Sequence, residues 1–113
     1  MAKRKRRARG QAPTVDYTDA DGNILTLRES LSTGTIHKIE KARERGAATV
    51  DDDWRRRSEL LFERLAVRWE IAGLPLTGQQ ELLGRYRMAD AETQAWVRRT
   101  LEEHVASHIP ELG

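Results

Sequence analysis

Two histidines, His104 and His108, stand four residues apart in a segment patterned as a helix, so both rings fall on one face. That spacing suits a metal ion. The zinc-protease pattern, however, needs a glutamate directly after the first histidine, where this chain has Val105. A third ligand would have to come from elsewhere, Glu111 for example, and histidines near a helix C-terminus are favoured by its dipole in any case. Asp19, Asp21 and Asn23 alternate as calcium ligands do. The calcium loop also needs glycine at its sixth position and glutamate at its twelfth; counted from Asp19, Gly22 is fourth and Ser30 twelfth. Turn chemistry explains the same residues. Leu74-Pro75-Leu76-Thr77-Gly78 spells a sortase sorting signal, but no apolar span follows it, and a turn between helices with Thr77 as a cap accounts for it. Carboxylates are plentiful, yet they alternate with arginines at helix spacing, the pattern of solvated ion pairs. With no nucleophile elbow, phosphate loop or dinucleotide fingerprint, the sequence offers no catalytic residues, metal site or cofactor, and no enzyme is expected.

One charge cluster stands apart. Lys3, Arg4, Lys5, Arg6, Arg7 and Arg9 account for six of the 20 basic residues, leaving 14 against 18 acidic residues in the remainder. The net charge of +2 and the pI near 9.3 therefore describe a basic tail on a mildly acidic body. Residues 1–13 carry almost no apolar side chains and no periodicity, so they are expected to be disordered when free. Such a tail can grip nucleic acid by releasing counterions, although no stacking aromatic or folded reader accompanies it.

These groups need elements to place them. Residues 14–28 alternate polar and apolar, with Val15 and Tyr17 before the turn at Asp21-Gly22-Asn23 and Leu25 and Leu27 after it. That pattern predicts a β-hairpin, which must lie on a helix to be stable. Ser32, Thr33 and Thr35 then form a cap-rich patch opening a short helix with Ile36, Ile39 and Ala42 on a narrow stripe and Gly46 closing it. The longest helix is expected over residues 51–72. Three aspartates favour its start, while Gly73 and Pro75 stop it. Trp54, Leu61, Leu65 and Trp69 share one stripe with Phe62 at its edge, and Leu60, Val67 and Ile71 line the other flank. Arg57, Arg64 and Arg68 run between them. A helix apolar on two flanks asks to be covered twice, so Trp54, Arg57, Leu61, Phe62, Arg64, Leu65, Arg68 and Trp69 are the expected partner-binding face. A brief helix from Thr77 and a last one capped by Asp90 complete the chain, Pro110 ending it.

The fold class expected is therefore mainly α, of α+β type: a disordered basic tail (1–13), then one small domain (14–113) with an N-terminal hairpin followed by four helices. At 113 residues, 38% hydrophobic and 34% charged, that domain has a lean core. There is no cysteine and no apolar run near the ~20 residues of a membrane span. A cytoplasmic protein is expected.

The stretch LLFERLAVRWEIAGLPLTGQQELLGRYRMADAETQAWVRRTLEEHV, with DYTDADGNILTLR upstream, resembles tail assembly chaperones of long-tailed bacteriophages and prophages. The shared features run over residues 60–112: an apolar segment ending in Trp69, a turn with Gly73 and Pro75, a short helix opened by Thr77, and a closing helix. The resemblance implies a small, mostly helical, non-enzymatic protein of the bacterial host cytoplasm that binds the tape-measure protein, or another assembly protein, before the tail tube polymerises. The basic tail departs from the pattern. It leaves two alternatives: a nucleic-acid-binding or regulatory protein, able to form a homo-oligomer through its long helix, and a structural virion component such as a connector or capsid-associated protein.

Overall fold

A computed structural model of the chain describes residues 13–44 and 50–112. The basic tail and the Gly46 cap lie outside these residues, as does the side chain of Trp54. The elements run β1 (Thr14–Thr18), β2 (Ile24–Arg28), α1 (Thr33–Glu44), α2 (Val50–Leu65), β3 (Ala66–Ile71), β4 (Leu74–Leu76), α3 (Gln79–Arg87) and α4 (Ala91–His108), with a 3-10 turn at Pro110–Leu112. A hairpin followed by two helices thus occurs twice. The two hairpins abut through β2 and β3, giving one antiparallel sheet in the order β1-β2-β3-β4.

The expectation of one hairpin followed only by helices, the longest spanning 51–72, is overturned. The helix ends at Leu65 and the chain turns directly into β3. From Arg68 on, the residues alternate: Arg68 and Glu70 on one face, Trp69 and Ile71 on the other. Ala72 and Gly73, with φ of 53° and 80°, form the two-residue turn to β4, the pair of positive φ values that matches the twist of a hairpin. Gly73, expected to close a helix, instead fills the second place of this turn. Leu61, Leu65 and Trp69 keep helical spacing and all reach the core, because the strand re-enters where a further helical turn would have pointed.

The hairpin β1-β2 lies where the alternation put it, paired from Thr14↔Arg28 to Thr18↔Ile24. The Asp19 carboxylate is used by its own turn, accepting from the Asp21 and Asn23 amides at 2.8 and 2.9 Å. Asn23 in turn accepts from the Ala72 N–H at 3.0 Å, tying the two hairpin turns together at one end of the sheet. On the face away from the helices, Thr26 donates to Asp16 at 2.7 Å and Arg68 to Glu70 at 2.8 Å. That face is polar, as expected of an antiparallel sheet packed on one side.

The edges differ. Pro13 and Asp19 bond across to Glu29 and Asn23, so by alternation Val15 and Tyr17 turn their backbone groups to β2, while Thr14, Asp16 and Thr18 turn theirs outward. No described residue pairs with that outer side of β1. On β4, Pro75 sits opposite Glu70, one step beyond the turn-closing pair Ile71↔Leu74. Its missing N–H is the donor that would have faced outward.

Four helices cover the inner face. Leu25, Leu27 and Trp69 from the sheet meet Leu61, Phe62 and Leu65 of α2 and Val97, Leu101 and Val105 of α4, all essentially inaccessible. Phe62 stacks on Tyr86 of α3 at 5.0 Å and meets Trp69 edge-on at 5.8 Å. Asp90 caps α4 by accepting from the Thr93 amide. Thr77 does not cap α3; Gly78 holds that position without a side-chain bond, and the helix continues through Gly84 to Arg87.

Candidate functional site

The expected docking face is distributed between core and surface. Leu61, Phe62, Leu65 and Trp69 are at most 1% exposed, so the apolar stripe of α2 packs against the protein's own sheet and helices. Arg57 is buried and donates to Glu102 on α4 through Nε and Nη2 at 2.7 and 3.0 Å. Arg68, now on β3, pairs with Glu70 on the outer face of the sheet. Only Arg64 stays exposed and without an ion pair among the described residues. The row of three arginines does not exist as a row, because Arg57 and Arg64 are on a helix and Arg68 is on a strand.

Arg64 instead joins a cleft of about 510 Å³ that the sequence alone does not announce. Three junctions wall it: the end of β2 and the loop into α1 (Arg28, Ser30, Ser32, Thr35), the passage from α2 to β3 (Glu63, Arg64, Ala66, Val67), and the segment opening α3 (Thr77, Gln79). A bulge shapes the second wall. Thr26 pairs with Arg68 and Leu27 with Ala66, leaving Val67 as the extra residue, and such bulges re-aim side chains beside sites. Ser32 caps α1, its Oγ accepting from the Thr35 amide at 3.2 Å. Gln79 is anchored by donating from Nε2 to the Glu63 carbonyl at 2.9 Å. Neither Arg28 nor Arg64 has an ion-pair partner among the described residues, although Glu63 lies in the same cleft. The signals that could have located it were the cap-rich patch after Arg28 and the helix-to-strand change at Ala66, which helical periodicity masked.

The two histidines are a structural feature. His104 is fully buried; its Nε2 lies 2.8 Å from the Arg28 carbonyl and its Nδ1 2.6 Å from the Tyr17 hydroxyl. A carbonyl only accepts, so Nε2 carries the proton and Nδ1 accepts from Tyr17. Both ring nitrogens are thereby occupied, and His108 stacks on the ring at 4.6 Å. Burial, foremost, and the neighbouring His108 hold His104 below its ordinary value of 6.5, against the opposing pull of the Arg28 carbonyl and Glu29. No group of three or more His, Cys, Asp or Glu suited to a metal occurs among the described residues.

No helix among the described residues is long and apolar enough to cross a membrane. Comparison with family models, curated proteins and solved structures gave no match.

Proposed function

We propose that the protein is a tail assembly chaperone of a long-tailed bacteriophage or prophage, which binds the tape-measure protein without catalysing a reaction. The resemblance of residues 60–112 is the source of this reading. The observation that carries it is the open, polar cleft where that stretch, through Glu63, Arg64, Val67 and Gln79, meets Arg28 and the loop after β2. A chaperone needs a reachable surface that leaves its own core intact, and the cleft meets that need better than the covered face of α2. The contact region is accordingly placed at Arg28 and Arg64 rather than at Leu61, Phe62 and Trp69.

The experiment is co-expression of the full chain with the tape-measure protein of the same phage or prophage, followed by affinity capture and separation by size. A stable complex is expected, together with higher soluble yield of the tape-measure protein. A soluble tape-measure protein that never co-purifies with the folded chain ends the reading. Trp69→Ala and Leu61→Ala are unsuitable probes, because truncating either side chain opens a hole in the core that costs about 3–5 kcal/mol.

The charge of the tail favours a second reading. Six cations in the first nine residues precede a body in which acidic residues outnumber basic ones. A nucleic-acid-binding or regulatory protein would use Lys3, Arg4, Lys5, Arg6, Arg7 and Arg9 to hold phosphates.

A further inference from the structure

We propose that the cleft walled by Arg28 and Arg64 binds a short acidic peptide segment, one carboxylate lying between the two guanidinium groups. The inference rests on the chaperone reading only for the source of the peptide; the chemistry comes from the cleft. Arg28 and Arg64 reach it from different elements, the end of β2 and the last turn of α2, and both are exposed without an ion pair among the described residues. Two arginines that line one concavity without ion-pair partners among the described residues leave positive charge there for an incoming anion to meet. Guanidinium groups recognise carboxylates through paired N–H donors, the strongest hydrogen bonds that uncoordinated side chains offer.

Three observations favour a peptide carboxylate over a phosphate. Glu63 lines the same cleft, so the local charge from these three groups is +1, which a single carboxylate neutralises. A phosphate dianion would overshoot that charge and face Glu63. Next, Gln79 has its amide nitrogen engaged with the Glu63 carbonyl, leaving its oxygen as an acceptor suited to a peptide N–H. Finally, the volume of about 510 Å³ falls in the range of organic-ligand clefts, roughly 300–1,000 Å³, and exceeds what one small anion fills. Ser30 and Thr77 also line the cleft.

The test is fluorescence anisotropy with the full chain and two end-blocked, dye-labelled hexapeptides, one carrying a single central glutamate and the other glutamine in its place. Arg28→Gln, Arg64→Gln and the double variant are compared with the wild type after circular dichroism confirms their fold. The glutamate peptide is expected to bind, the glutamine peptide to bind at least tenfold more weakly, and each single variant to lose about tenfold in affinity. Amide NMR shifts on titration are expected at Thr35, Val67 and Gln79. Equal binding of the two peptides, unchanged binding by a folded double variant, or shifts elsewhere would overturn the proposal. So would tighter binding of inorganic phosphate than of the peptide. A double variant that captures the tape-measure protein as well as the wild type overturns the cleft proposal and leaves the chaperone reading standing. Peptide binding without tape-measure capture does the reverse.

Discussion

At the scale of single residues, His104 ties its proton to the folded state. The unfolded chain takes up a proton near pH 6.5, whereas the buried ring resists it and its Nδ1 is accepting from Tyr17. The stability this provides is complete above about 6.5 and falls as the pH drops below that value. Tyr17 behaves oppositely: burial, and then the charge of Glu103, raise it above 10.0, so the folded state keeps the phenol proton and loses stability as the pH rises past about 10. Urea unfolding from pH 5 to 11 is expected to show a plateau between these limits. Tyr17→Phe should remove the alkaline decline and, by stranding Nδ1, cost about 1–2 kcal/mol throughout the plateau. Ser58 makes the converse case. Its hydroxyl is buried with no hydrogen-bond partner among the described residues, so Ser58→Ala is expected to stabilise by about 1 kcal/mol in the same measurement.

At the scale of elements, α2 is held to α4 by more than packing. The forked Arg57–Glu102 pair sits at the seam with side chains 9% and 31% exposed. Glu102→Ala leaves a buried cation unpaired and is expected to cost about 2–3 kcal/mol, less than for a fully enclosed pair because Glu102 reaches water. Thermal unfolding should register it as a fall of roughly 10 °C or more. The hairpin after α2 carries backbone strain of its own, since Ala72 holds φ of 53° where glycine or asparagine is favoured. Ala72→Gly is expected to stabilise by about 0.5–1 kcal/mol, read as a higher urea midpoint at unchanged slope. This hairpin is also where the sequence misleads. Val15, Tyr17, Leu25 and Leu27 declare their strands by strict alternation around an Asp-Gly turn, and Asp90 declares its helix by capping. Residues 61–71 satisfy two periods at once: Leu61, Leu65 and Trp69 at helical spacing, Arg68 to Ile71 at strand spacing. Gly73 serves equally as a helix stop and as a turn residue. Only the presence of β2 as a pairing partner separates the two readings, and that is a long-range fact. The cleft was illegible for the same reason. Arg28, Arg64 and Gln79 lie far apart in the chain and meet only once β3 pairs with β2.

At the scale of the whole molecule, charge separates the tail from the body, and the two candidate activities separate with it. If the tail grips nucleic acid, affinity for a short duplex should fall linearly on a log–log plot against salt, with a slope near −0.9 per phosphate contacted. Replacing Lys3, Arg4, Lys5, Arg6, Arg7 and Arg9 by glutamine in the full chain is expected to abolish that dependence while leaving tape-measure capture unchanged. Loss of capture instead would assign the tail, not the cleft, to the protein partner. The sheet adds a constraint on assembly that follows from Pro75 alone. Among the described residues, one flank of the sheet is denied its outward donor and the other keeps its own, so strand-to-strand joining has a single sticky side. Copies that meet this way must stop at a pair, and a runaway ribbon has no second surface from which to grow.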